Sequence, residues 1–238
     1  MDRLAKKIIQ NRLLLTLTPP SYDAIFACLR PVDLPVKFVM VETRKTTSHL
    51  YFIEDGIASV VAENIDGEQA EIANIGFEGV TGASVCLGPS IGETKTFMQA
   101  SGFGYCITAD DLAHLVTSHP SIRELLLKYL YTLQVQIGSS ALSNTRYTLK
   151  ENLARWILMS HDRLRKSDLP LTHTFLSVML GVRRAGVTEG IHRLEEANAI
   201  KASRGNIQVI DREQLIQIAG ACYGYPERVY DETIGKMA

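Results

Sequence analysis

The hydrophobic period of the chain changes near Asp110, and that change divides what can fold in front of it from what can fold behind it. Before it, KFVMVE and HLYFIEDGIASVVAENIDGEQAEIANI are rich in β-branched and aromatic residues. Asp55-Gly56 and Asp66-Gly67 are dipeptides that suit tight hairpin turns, and the spacing between them fits one strand, so a meander is expected. Gly76, Gly79, Gly82, Gly88, Gly92, Gly102 and Gly104 then mark turns and short strands up to about Thr108. Residues 3–30 read as one or two short helices, the second introduced by Pro19 and Pro20 and closed by Pro31 and Pro35. A compact antiparallel β barrel or roll is the economical account of this front half.

Behind Asp110 the repeat is helical. From Ile122 to about Thr145 there is no proline, and Leu126, Leu130, Leu133, Ile137 and Ala141 recur at steps of four and three. Such a seam matches the a/d positions of a short coiled coil. One account lays this helix on its own barrel. The favoured one pairs the seam with a second copy, because Leu125, Leu127, Tyr129 and Val135 supply another apolar surface for the barrel. A further helix begins near Leu149 (LKENLARWILMSHDRL). Then LTHTFLSVMLGVRRAGVTEGIHRLEEANAI gives two helical segments around Gly181, and IKASRGNIQVID gives a two-stranded wing turning at Arg204-Gly205-Asn206.

Composition narrows the function. With 238 residues, 46% of them hydrophobic and 21% charged, the chain is long enough for two ordinary domains and has no disorder signature. The net charge is −1, yet residues 150–210 carry +4 while the flanks carry −3 and −2. That basic segment holds Arg183 and Arg184 at an expected helix start, where cations are disfavoured by roughly 0.3–1 kcal/mol each. An external anion would reward them. No run of 18 apolar residues occurs and the first residues lack a signal-peptide layout, so a cytoplasmic address and no membrane contact are expected. Cys28, Cys86, Cys106 and Cys222 form no Cys-x-x-Cys pair, so neither a metal site nor a disulfide framework is signalled.

The two-helix segment meets the requirements of a helix-turn-helix. Ser177 is the small residue at the crossing, Gly181 permits the turn, Val182 plugs it, and Val187, Ile191 and Leu194 line the inner face. Arg184, Ala185, Thr188, Glu189 and His192 share the opposite face. With these segments in place, the chain resembles the Crp/Fnr family of bacterial transcription regulators over nearly its whole length. The resemblance implies an α+β fold: an N-terminal jelly-roll-like (double-stranded β-helix) sensor domain over 1–120, a dimerisation helix and hinge over 121–148, and a winged helix-turn-helix over 149–238. It implies double-stranded DNA, a second copy of the chain and RNA polymerase as partners. Arg183, Arg184, Ala185, Thr188, Glu189 and His192 would meet DNA, with Thr172 on phosphate and Ser203 and Arg204 touching the backbone from the wing. The hinge is expected between Asn144 and Leu149. Departures from the family pattern at Arg183, Ala185 and Glu189 bar any transfer of a target sequence, and Gly190 weakens its helix by about 1 kcal/mol relative to Ala.

Family members that take cyclic AMP hold its phosphate with an Arg and its ribose with a Glu. The corresponding stretch, GFEGVTGASVCLGPSIGETKTFMQ, contains Lys95 as its only cation and Thr81 where the Glu is expected. Glu78 and Glu93 are near misses. A lysine lacks the bidentate fork of arginine. A degenerate pocket of Glu78, Thr81, Glu93 and Lys95, without cyclic AMP, is therefore expected. No iron–sulfur cluster is expected, since ligation needs clustered thiolates, and His49, His114 and His119 are isolated; the effector is left open. Ser160-His161-Asp162 invites comparison with a hydrolase triad, but consecutive helix residues point in different directions, so no enzyme is expected. The alternative to a DNA-binding regulator is a β-roll regulatory or protein-interaction module without sequence readout.

Overall fold

Two long strands hold the front half together. β3 (His49–Glu63) and β6 (Lys95–Thr108) pair antiparallel from His49 opposite Thr108 to Val61 opposite Lys95. The computed structural model describes residues 9–88 and 91–236. In it β1 (Arg30–Leu34) and β2 (Val39–Val41) flank β6, while β4 (Gln69–Ile75) and β5 (Val80–Thr81) pair with β3, making a six-stranded antiparallel sheet. α1 (Arg12–Thr16), α2 (Pro19–Cys28) and α3 (Ala109–Ser118) close it around Leu13, Ile25, Leu50, Phe52 and Ile107. The expected helical residues 3–8 lie outside the described residues.

The hairpin expected at Asp55-Gly56 is corrected. β3 runs through the dipeptide with register shifts on either side of Asp55, a bulge that bends the strand. Gly56 takes φ +93, and a Cβ there would lie 2.7 Å from the Ala100 carbonyl oxygen. Gly102 likewise sits inside β6 rather than at a turn, where a Cβ would lie 1.9 Å from Asp55 O. These glycines serve close backbone approach between neighbouring strands. Asp66-Gly67 does turn β3 into β4, with the Asn64 side chain accepting from Asp66 N and Glu68 N.

The back half begins with α4 (Pro120–Arg146), which lies along the roll. The expected pairing seam is corrected at Leu126, which is 1% exposed and packs with Leu50 and Phe52 inside its own protomer. Leu130, Leu133 and Ile137 are half-buried against the same roll, and Ala141 is exposed. Tyr129 is buried, so the roll is covered by seam and flank together. α5 (Leu149–Leu164) follows, its start fixed by a capping box between Thr148 and Glu151. Asn152 Nδ2 donates to Ser143 O at 3.0 Å and to Tyr147 O and Thr148 O at 3.3 Å, so the expected hinge is stapled.

Beyond α5 come β7 (Asp168–Leu169), α6 (His173–Met179), α7 (Arg184–Glu196), β8 (Ile200–Ser203) and β9 (Asn206–Val209). The wing gains a third strand because β7 pairs with β9. α8 (Arg212–Ala219) packs on α5, and α9 (Tyr225–Ile234) crosses back to α4. There Asp231 pairs with Arg12 at 2.8 Å and the Tyr230 hydroxyl donates to Glu78 O. Gly190 has a packing role: a Cβ there would lie 2.3 Å from Leu153 Cδ1, so the glycine lets α7 cross α5 closely.

The sheet meets α5 through a buried polar contact. Trp156 Nε1 donates to Glu71 Oε1 at 2.6 Å, and Glu71 is 8% exposed. Burial pushes its carboxyl up to about 7, opposed by the nearby Ser59 hydroxyl, by the hydrogen bond from Trp156 and by the charges of Arg155 and Arg163.

Two outcomes follow from these contacts. Folding favours the protonated Glu71, so its stabilising contribution is full below about pH 4.5 and is lost as pH rises to about 7, the ordinary and shifted values. The loss amounts to about 3 kcal/mol. Urea unfolding between pH 4.5 and 8 should show this decline, and Glu71→Gln should flatten it; parallel curves would remove the assignment. Gly190→Ala should cost about 1–2 kcal/mol through overpacking, despite a better helix propensity. Adding Leu153→Ala should make the Gly190→Ala change neutral or favourable, and a stability gain from Gly190→Ala alone would mean that the crossing is not tight.

Candidate nucleic-acid interface

The helix pair is built from its turn outward. Gly181 adopts φ +63, and Val182 N then bonds Ser177 O at 3.0 Å, reversing the chain between α6 and α7. Thr172 caps α6, its hydroxyl accepting from Phe175 N at 3.1 Å, which leaves its O–H free as a donor. Arg183 occupies the cap position of α7 without a side-chain cap bond. Val187, Ile191 and Leu194 are buried in one core with Leu153, Ile157 and Leu176. That burial fixes which face of α7 looks outward.

On the outward face Arg183, Arg184, Ala185, Glu189 and His192 are exposed and Thr188 is half-buried. Thr188 Oγ1 donates to Arg184 O at 3.1 Å and lies 3.0 Å from His173 Nδ1. Glu189 is ion-paired with Arg193 one turn on, and His192 Nδ1 lies 3.4 Å from Glu195 Oε2. Ser203 and Arg204 are exposed at the β8–β9 turn. Among the described residues no carboxylate lies within ion-pair distance of Arg183, Arg184 or Arg204, so their charges face solvent uncompensated. The Glu189–Arg193 and Thr188–His173 contacts were missed from the sequence; the first is a plain i,i+4 pair and was readable.

The other expected sites do not assemble as expected. Glu78 turns to Arg163, whose Nε lies 2.8 Å from Glu78 Oε1. Thr81 is buried with its hydroxyl toward Met40 Sδ at 3.8 Å, and Glu93 is exposed. Lys95 lines a separate open depression of about 380 Å³ with Arg44, Glu63 and Asn64. The pocket of Glu78, Thr81, Glu93 and Lys95 is therefore corrected: Glu78 is drawn to Arg163 of the back half, a partner distant in sequence, while Thr81 is buried and Lys95 faces a different depression. Ser160-His161-Asp162 forms no relay, since Ser160 is buried while His161 Nδ1 and Asp162 both meet Arg212, at 3.2 and 2.7 Å. No cluster of three His, Cys, Asp or Glu side chains that could hold a metal occurs among the described residues, and no described helix is long and apolar enough to cross a membrane.

Residues 151–218 match the family model of the Crp-like helix-turn-helix domain. No curated protein sequence matches the chain. Among solved structures, FixK2 from Bradyrhizobium japonicum aligns with TM-score 0.69 at 14% identity, over 81% of this chain and 98% of its own. A putative Crp/Fnr-family transcriptional regulator from Eubacterium rectale aligns with TM-score 0.67 at 16% identity, over 87% and 97%. The c-di-GMP responsive global regulator CLP of Xanthomonas campestris gives 0.66 at 13%, over 81% and 99%. Residues 151–218 thus form a Crp-like helix-turn-helix domain, on a chain that shares the fold of solved Crp/Fnr-type regulators.

Proposed function

We propose that this chain is a sequence-specific transcriptional regulator that binds a palindromic operator as a homodimer. The observation that carries the reading is the uncompensated pair Arg183 and Arg184 at the start of an exposed helix whose other face is buried. Cations placed against the helix dipole are rewarded by a polyanion, and DNA supplies one. α7 enters the major groove, and two half-sites lie about 34–36 Å apart. Arg184 reads a base edge, Arg183 meets phosphate, Thr188, Glu189 and His192 lie over bases beside Ala185, and Thr172, Ser203 and Arg204 hold the backbone. The sensor half takes no cyclic AMP, a reading supported by the divergence of Thr81 and Lys95. Contact with RNA polymerase and a cytoplasmic site of action complete the proposal.

The second copy docks on the face of α4 that the roll leaves open. Leu127, Tyr131, Gly138 and Leu142 line that face at helical spacing; Tyr131 and Leu142 are each 53% exposed, and a Cβ on Gly138 would meet nothing within 4 Å. Gly138 would permit close approach of two such helices.

Arg184→Ala should weaken operator binding by about 1–3 kcal/mol and relax preference at one base position, whereas Arg204→Ala should weaken all sequences alike and lower the salt slope by about one. Binding titrations over a salt series measure both. Equal, sequence-independent losses would remove base reading from Arg184, and no salt-dependent DNA affinity would favour the interaction-module reading. In sedimentation, Tyr131→Glu with Leu142→Glu should convert a dimer to monomers, and an unchanged dimer would move the interface elsewhere.

A further inference from the structure

A cavity of about 280 Å³ opens where the roll, α4, α5 and α9 converge. Phe77, Tyr129, Leu133, Tyr223, Pro226 and Tyr230 give it a largely apolar, aromatic wall. Its volume is at the lower edge of small-molecule sites, which run from about 300 Å³ upward.

The charges in the wall are matched with one left over. Arg12 pairs with Asp231 at 2.8 Å, Arg163 with Glu78 at 2.8 Å and Arg212 with Asp162 at 2.7 Å. Glu227 is the fourth carboxylate of the lining, and among the described residues it has no ion-pair partner within 4 Å. One of its oxygens accepts from Gly224 N at 3.2 Å, capping α9. Burial holds its carboxyl above the ordinary range, opposed by the nearby charge of Arg163, which is already committed to Glu78. Gln136 accepts from Asn74 N at 2.8 Å through its carbonyl, leaving its amide N–H groups as donors.

We propose that this cavity binds a small organic cation, an ammonium or guanidinium on an apolar or aromatic body, with its charge against Glu227. An anion would find every arginine of the wall paired and Glu227 repelling it. A cation instead completes the one unmatched carboxylate; the rings of Tyr230 and Tyr223 already carry Arg12 and Arg212, so Glu227 supplies the attraction for the charge and the aromatic wall packs against the apolar body. Phe77 and Glu78 come from the roll and Tyr223 and Glu227 from the back half, so an occupant touches both. The inference stands apart from DNA binding and is tested without DNA.

Isothermal titration of the full chain with tyramine, agmatine and phenethylamine, against 4-hydroxyphenylacetate as the charge-reversed match of tyramine, reads the preference directly. At least one amine should bind saturably at one site per chain and at least tenfold more tightly than the carboxylate. Glu227→Gln, whose amide oxygen can still cap Gly224, should weaken that amine at least tenfold with an unchanged melting temperature. Leu133→Trp, which fills the cavity from α4 without altering charge, should abolish binding and serves if the first variant does not fold. Tighter binding of the carboxylate, undiminished amine binding by either folded variant, or no saturable binding of any amine would overturn the proposal.

Discussion

The fold depends on a helix buried on nearly all sides. Nine consecutive residues of α5, Asn152–Ser160, are buried, which in a water-soluble helix requires neighbours around its whole circumference. Leu153 meets α7 at Gly190, Trp156 reaches β4 at Glu71, and Arg155 bonds Ser140 Oγ of α4 at 3.0 Å. Each half of the molecule therefore completes its core against the same element. Displacing α5 would expose apolar surface on both sides together, since it joins the sheet, α7 and the connecting helix through these three contacts.

The seams around α5 are unequal. Toward α7 and α8 it is apolar, with Leu153, Ile157, Val187, Ile191 and Leu215 in one cluster. Toward the roll it is mixed: Ile57 and Ala100 join the same apolar cluster, but Glu71, Arg163 and Glu78 add buried polar contacts, and just past the helix Lys166 Nζ lies 3.2 Å from Asp55 and Arg165 stacks on Phe77. Polar and ionic contacts gain little net free energy from burial compared with apolar ones. The helix-turn-helix is thus fused to α5 more firmly than α5 is fused to the roll. The junction at Asn152, stapled to Ser143, ties the end of α4 to the same rigid unit.

Much of this was legible in the sequence because it rests on period and local chemistry. The inner stripe Val187, Ile191 and Leu194, the Gly181 turn and the wing all follow from spacing, and the structure keeps them. What escaped depends on partners distant in sequence. Asp55-Gly56 satisfies the local chemistry of a hairpin, yet β6 offers a continuous partner across it, so a bulge replaces the turn. Leu126 fits a coiled-coil seam as well as it fits a core, and only the roll beneath α4 decides between them. The cost of Gly190 was readable, while its cause, Leu153, lay 37 positions away in the chain. The return of α9 to α4 left no periodic signal that named its destination.

The Glu189–Arg193 pair gives the exposed face of α7 an internal competitor. A base that asks Glu189 to accept a hydrogen bond would find one of its two oxygens, Oε1, already held by Arg193. Were the base to draw Glu189 away, Arg193 would be left as another exposed cation on the same helix. Under the proposed DNA reading, recognition at that position would be an exchange in which Glu189 is shared between protein and nucleic acid while a cation is loosened, so choice of base and strength of electrostatic grip would change together. Two residues on one turn of helix would make discrimination at a single base pair sensitive to salt, which ordinary neutral readout is not.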